Sequence, residues 1–210
     1  MRVFTKSSSG AFARPRRVGA FAALCVVALA GAGCSETVRT GQSSAYMILE
    51  RLEGAAGGAG SASTFTGILR SDVSTDGSVF EDNGRVALRL AMKDVTSPTG
   101  PTTNNQITIN RYRVDFRRTD GRNTPGVDVP YGFEGAIGLT VTQGGQDGVF
   151  TLVRAQAKLE APLVTLRGGG GALVISTIAD VTFFGRDQTG RDVTVTGSIS
   201  VNFADWADPD

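Results

Sequence analysis

Hydrophobic and polar residues alternate in short runs from Thr64 onward, and the runs are separated by turns rich in Gly, Asp, Asn and Thr. The clearest run is RVALRLAMKDV at 85–95, in which every second residue is apolar: Val86, Leu88, Leu90 and Met92. Strict alternation is typical of a strand with one buried face and one wet face. Seven to nine such strands predict a mainly β domain over residues 64–210, an antiparallel β-sandwich with immunoglobulin-like architecture. GVFTLVRAQAKL and APLVTL are among these predicted strands.

The run QITINRYRVDFRRT, at 106–119, changes phase part-way along. Its apolar residues occupy odd positions at first and even positions later: Ile107 and Ile109, then Tyr112, Val114 and Phe116. Because side chains alternate with a period of two, a one-residue change of phase predicts a β-bulge or a crossing between sheets. Further along, the short polar segment RDQTGRD with Gly190 predicts a hairpin between the last two strands.

Helix signals occur only before the β runs. In SAYMILERLEG, Ser44 can cap a helix and Gly54 can end it. Four residues form an apolar face at spacings of three and four: Tyr46, Ile48, Leu49 and Leu52. We expect one short helix at about 44–53, inside a tether that covers 34–63 and ends in the Gly-rich linker GAAGGAGSAS.

The first 33 residues predict a signal peptide. A basic segment without acids precedes VGAFAALCVVALAGAG, an apolar run of about 16 residues that ends in small residues. A membrane-spanning helix needs roughly 20 such residues. LAGAGC resembles the lipobox of bacterial lipoprotein signal peptides, in which the cysteine becomes the first mature residue and carries diacylglycerol. This resemblance implies lipidation of Cys34 and a bacterial cell-envelope protein, and Ser35 favours the outer membrane.

Other interpretations of this N-terminus stay open. The usual lipobox has an aliphatic residue where Gly31 stands here. An ordinary signal peptide cut near 30–33, or an uncleaved membrane anchor, is the alternative. The segments YMILERLEGA and DGRNTPGVDVPYGFEG give the chain a further resemblance to exported β-domain lipoproteins, which implies no particular activity.

Composition removes several classes of function. The chain has 210 residues and no histidine, which excludes Ser-His-Asp and Cys-His nucleophiles and His-ligated metal sites. Removal of residues 1–33 would leave 16 basic and 20 acidic residues, a formal charge of about −4, so no basic footprint for nucleic acid remains. Cys34 would then be the single cysteine, since Cys25 lies in the apolar run, and no disulfide within the chain is possible.

The loop TDGRNTPGVDVPYGFEG, at 119–135, carries the candidate ligand-binding residues. Pro125 and Pro130 restrict the backbone, while its glycines permit unusual angles. Binding side chains often sit on shaped loops held by a rigid scaffold. The candidates are Asp120, Arg122, Asn123, Asp128 and Tyr131. The alternative is a structural crossover between sheets.

Two acidic patterns raise the questions of metal binding and hydrolysis. The turn DVSTDGSVFEDNG contains possible calcium ligands, Asp72, Asp76, Glu81, Asp82 and Asn83, but it lacks EF-hand spacing. We therefore predict solvated turns, no metal and no cofactor. Hydrolysis by a carboxylate pair would need two acids facing one cleft, and the candidates in or near strands are Glu134, Glu160 and Asp180.

One strand face is strongly charged: Arg111, Arg113 and Arg117 share it with Asp115. Such a face could bind an anionic ligand or polysaccharide, or be the wet side of a sheet.

These patterns together predict a lipid-anchored envelope protein whose β-sandwich is a non-catalytic binding or structural module. The expected partners are the membrane, through the lipid, and an envelope protein or glycan. The alternatives are a carboxylate-dependent glycan-active enzyme and a calcium-stabilised adhesion module.

Overall fold

The computed structural model describes residues 43–58, 64–96 and 98–206. The predicted signal peptide and Cys34 lie outside the described residues, as do residues 35–42 of the predicted tether and residues 59–63 of the linker. The strands are β1 Ala45–Ala55, β2 Ile68–Asp72, β3 Asp82–Met92, β4 Ile107–Arg117, β5 Phe133–Val141, β6 Gln146–Val153, β7 Ile175–Asp187 and β8 Asp192–Ala204. Helix α1 is Ala155–Leu159, and 3₁₀ turns occupy Thr103–Asn105 and Leu163–Leu166. None of the helices in the described part of the chain is long and apolar enough to cross a membrane.

The strands form two sheets. The three-stranded sheet has the order β1-β3-β6, and the five-stranded sheet has the order β2-β8-β7-β4-β5. All neighbouring strands are antiparallel except β2 and β8, which run parallel. The mainly β, largely antiparallel character is therefore confirmed. The immunoglobulin-like topology is not, because immunoglobulin constant domains pair their strands in the orders ABED and CFG.

One apolar core lies between the sheets and gives the fold its sandwich-like character. Three aromatic rings join the two layers: the ring centroid of Phe150 lies 5.0 Å from that of Tyr112 and 5.2 Å from that of Phe183. Gly84 allows this approach, since a Cβ there would lie 2.3 Å from the ring of Phe150. Edge-to-face aromatic contacts of this kind stabilise a core beyond simple burial.

The strand pattern of β3 and the phase change of β4 are confirmed. Val86, Leu88 and Leu90 are buried. The register of β4 shifts between Ile109 and Arg111 against both of its neighbours, as a β-bulge requires. The predicted hairpin between β7 and β8 also forms, with Arg186 opposite Asp192 and Gly190 at a φ of 79°.

The predicted helix at about 44–53 is wrong, because these residues belong to β1. This strand pairs with β3 from Ala45 opposite Met92 to Ala55 opposite Asn83, so the β domain begins at Ala45 and not at 64. A register shift between Leu49 and Arg51 explains the misleading spacing. The bulge lets Leu49 and Leu52, three residues apart, point to the same side, where both pack against the core.

The chain between β6 and β7 also differs from prediction. β6 ends at Val153 and is followed by α1, whose sequence AQAKL consists of good helix formers. APLVTL contributes a 3₁₀ turn and not a strand. Pro162 has no N–H to give to a ladder, and the three-residue spacing of a 3₁₀ turn buries both Leu163 and Leu166.

Helix α1 carries a lysine into the interior. The Nζ of Lys158 lies 2.8 Å from Oδ1 of Asp82, and the two side chains are 1% and 0% exposed. The hydroxyl of Ser71 donates to Oδ2 of the same carboxylate at 2.5 Å, and the N–H of Gly57 donates to Oδ1 at 2.9 Å. Burial raises the pKa of Asp82, and the contacts with Lys158, Ser71 and Gly57 oppose that shift. The arrangement joins β2, β3, α1 and the segment after β1.

Substitution of Asp82 by alanine is expected to lower the free energy of unfolding by about 3–5 kcal/mol, because it leaves a buried ammonium without its carboxylate. Chemical denaturation of the full chain measures this loss. Asp147→Ala is the matched control, since its 3.8 Å contact with Arg51 is exposed and contributes little. Equal losses in the two variants would contradict the central role of the buried contact.

Candidate functional site

The solvent-facing side of the five-stranded sheet, called the outer face below, is a polar surface that extends over several strands. Because strand side chains alternate, the residues between the core positions point outward. The outer face comprises Ile68, Arg70, Arg111, Arg113, Asp115, Arg117, Glu134, Ser176, Ile178, Asp180, Thr182, Phe184, Thr194, Thr196, Ser198, Ser200 and Asn202.

Hydroxyl groups line the centre of the outer face, where β7 and β8 meet. Thr182 stands opposite Thr196, and their hydroxyl oxygens are 2.9 Å apart. The next pair along the strands joins Ser198 to Asp180, with the hydroxyl donating to Oδ1 at 2.5 Å. Cross-strand hydrogen bonds of this kind fix the positions of side chains on a sheet surface.

The arginines of β4 are each held by a carboxylate. The nitrogen–oxygen distances are 2.5–2.8 Å in three pairs: Arg111–Glu134, Arg113–Asp115 and Arg117–Asp180. The charges therefore largely cancel over this part of the face. The strand face predicted to be charged is thus a lattice of ion pairs on an exposed surface.

Asp180 and Glu134 were two of the three acids considered for hydrolysis. Burial raises the pKa of Asp180, but the larger combined effect of hydrogen bonds from Arg117 and Ser198 lowers it, so the group is an anion at neutral pH. Glu160, the third, follows α1 and accepts a hydrogen bond from Gln156 at 2.7 Å. Each acid is thus engaged by a different side chain, and Asp180 is not kept protonated as a general acid would need to be.

The candidate loop is organised by its own hydrogen bonds. Asp120 accepts from Arg118 at 2.5 Å and from Arg122 at 3.0 Å. The hydrogen bond from Arg118 holds the pKa of Asp120 well below its usual range. Asn123 accepts the N–H of Arg118 at 2.6 Å. The structure therefore brings together three of the five predicted residues, Asp120, Arg122 and Asn123, around Arg118.

The other two predicted residues belong to the second half of the loop. Asp128 accepts the N–H of Thr124 at 3.2 Å, while the carbonyl of Thr124 accepts the N–H of Asp128 at 2.8 Å. Tyr131 is 53% exposed, and its ring lies so close to Gly126 that a Cβ there would be 2.3 Å from the phenol oxygen. These contacts shape the loop and leave the edge of Tyr131 open to solvent.

Where the loop meets the outer face, two shallow depressions join into one surface, called the corner groove below. One has a volume of about 270 Å³ and the other about 240 Å³, and they share Thr119 and Ser176. The corner groove is lined by Asp120 from the predicted loop and by Ile68, Ile178, Ser200 and Asn202 from the sheet. The four sheet residues were not predicted, although their alternation marks them as outward-facing, because the pairing of β2 with β8 has no local sequence signal.

The acids considered for calcium do not converge. Asp82 is buried against Lys158, and Asp72 accepts the hydroxyl of Thr75 at 2.9 Å and the N–H of Trp206 at 3.1 Å. Over residues 43–58, 64–96 and 98–206, no group of three or more acidic, histidine or cysteine side chains could hold a metal ion.

Comparison of the chain with protein-family models, with curated proteins and with solved structures finds no match.

Substitution of Asp120 by alanine is expected to loosen the candidate loop, because Arg118 and Arg122 lose their common acceptor. Trypsin should then cleave after Arg122 faster than in the unaltered chain, and timed limited proteolysis followed by mass spectrometry measures the rate. Asp94→Ala, which removes a comparable hydrogen bond from the exposed turn at Thr96, is the control and should leave cleavage after Arg122 unchanged. Unaltered cleavage in Asp120→Ala would mean that proline and backbone contacts alone hold the loop.

Proposed function

We propose that the chain is a lipid-anchored protein of the bacterial cell envelope whose β domain is a non-catalytic binding module. Support for the anchor comes from the segment LAGAGC, which ends at Cys34 directly after the apolar run. The start of β1 at Ala45 shortens the expected tether to about ten residues. A chain of that length spans at most about 35 Å when fully extended, so the lipid would keep the β domain near the membrane surface.

The outer face is the observation that supports a binding function. It is open and shallow, whereas sites for small molecules are usually enclosed and mostly apolar. A shallow face offers contacts to an extended ligand that lies across several strands.

The chemistry of the corner groove favours a glycan as that ligand. Ser176, Ser200 and Asn202 offer hydroxyl and amide groups that can both donate and accept hydrogen bonds, as sugar hydroxyls require. Ile68, which is 58% exposed, adds an apolar surface beside them. The nearby arginines are already paired, which favours a polyhydroxylated ligand over a strongly anionic one. The engagement of Asp180, Glu134 and Glu160 by other side chains favours binding over hydrolysis.

Metabolic labelling with radioactive palmitate tests the anchor. The chain should incorporate the label, and Cys34→Ala should abolish incorporation, because the sulfur of Cys34 carries the lipid. Membrane fractionation of the same cells shows whether the protein then leaves the membrane pellet. Equal labelling of the two chains would overturn the proposed anchor.

Co-sedimentation with insoluble envelope glycan tests the binding surface, with the full chain held in detergent. Ser200→Arg places a bulky charge in the corner groove and should weaken binding about tenfold, equivalent to about 1.4 kcal/mol. Val149→Arg is the control, because Val149 is 58% exposed on the three-stranded sheet. Equal binding by the two variants would reject the outer face as the binding surface. Capture of an envelope protein in the absence of glycan would show that the ligand is a protein and not a glycan.

A further inference from the structure

The contact between Lys158 and Asp82 has the components of a covalent bond-forming site. Within residues 43–58, 64–96 and 98–206 it is the ion pair whose two side chains are both essentially fully buried. The two residues are 76 positions apart in sequence, so a bond between them would join distant segments. The exposed pairs of the outer face have no comparable exclusion of water.

We propose that Nζ of Lys158 and Cγ of Asp82 condense to form an amide, an isopeptide cross-link between α1 and β3. The nitrogen already contacts Oδ1 at 2.8 Å, and Cγ is bonded to that oxygen. Reacting atoms in a near-attack arrangement lie about 3–3.5 Å apart, so only a small movement of the lysine side chain is needed.

The step balances within the pair. A proton passes from the ammonium to Oδ1 along the existing hydrogen bond, which gives a neutral amine and a carboxylic acid. The amine lone pair forms the N–C bond at Cγ while electrons of the carbonyl move to Oδ2. A second proton then passes from nitrogen to the protonated Oδ1, which leaves as water as the carbonyl re-forms. Ammonium and carboxylate thus become one amide and one water molecule, with no external acid, base or oxidant.

The neighbouring groups assist this step. Ser71 donates a hydrogen bond to Oδ2 at 2.5 Å, where negative charge develops as nitrogen attacks. Gly57 donates to Oδ1 at 2.9 Å and holds the carboxyl group in position beside the amine. Burial, which raises the pKa of Asp82, favours the protonated acid that the reaction needs.

The surroundings also favour the product. Two buried charges carry a large desolvation cost, whereas the amide is uncharged and costs less to bury. An ammonium has three N–H donors to satisfy, whereas the amide has one. Exclusion of water from the site opposes hydrolysis of the amide.

Mass spectrometry tests the cross-link directly on the folded full chain, which carries Cys34→Ala to prevent lipid attachment. The intact mass should be lower than the sequence mass by one water. After denaturation and trypsin digestion, residues 71–85 and 155–167 should appear as one branched peptide, because acylated Lys158 is no longer a cleavage site. Fragmentation should locate the bond at Asp82 and Lys158.

Lys158→Arg is the matched control, since it keeps the positive charge but its guanidinium does not act as the nucleophile. It should show the full sequence mass and ordinary cleavage after position 158. The proposal is overturned if the chain with native Lys158 yields separate peptides 71–85, 155–158 and 159–167 of unmodified mass. A loss of water located at any other residue overturns it as well.

Discussion

The contact of Lys158 with Asp82 is the constraint on which one end of the sandwich depends. Two charged groups taken out of water must satisfy each other closely, because each pays a desolvation cost of several kcal/mol. The carboxylate therefore gathers Ser71, Gly57 and Lys158 around itself. By holding α1, it also fixes the start of the irregular chain that covers the core with Leu163 and Leu166. Because each of these hydrogen bonds needs a defined geometry, the cluster favours one arrangement of β2, β3, α1 and the segment after β1.

β2 connects this buried cluster to the outer face. Ser71 points inward to Asp82, whereas the preceding residue, Arg70, points outward and lies over the ring of Trp206 at 4.1 Å. The indole N–H of Trp206 donates in turn to the carbonyl of Ser71 at 3.2 Å. β2 is an edge strand of five residues, and its position beside β8 brings Ile68 to the corner groove. The interior contact thus helps to position a surface residue through alternation along a single strand.

Local sequence patterns predicted the regular strands. They failed where the conformation depends on contacts with residues distant in sequence. The alternation of β3 and the phase change in β4 lie within single segments, so the sequence alone located both. In β1 the bulge between Leu49 and Arg51 imitated helical spacing, and only the pairing with β3 distinguishes the two conformations. Asp120, Arg122 and Asn123 remain candidate binding residues, and Arg118, which contacts Asp120 and Asn123, was not among the candidates. The partner of Lys158 could not be predicted, because ion pairing across 76 positions leaves no periodic signal.

Ion pairing on the outer face keeps an exposed sheet surface polar while leaving little net charge on it. A flat sheet face that was apolar would invite stacking or aggregation, which natural sheets avoid by placing charges on exposed strands. On β4 the arginines meet that need, and Asp115, Asp180 and Glu134 cancel their charge. Exposed pairs of this kind add little stability and are screened by salt. Long-range attraction is consequently weak, and in the proposed binding function selectivity would depend on the fixed directions of hydroxyl and amide groups in the corner groove. A neutral ligand with many hydroxyls matches such a surface better than a polyanion, whose binding would require the existing pairs to break.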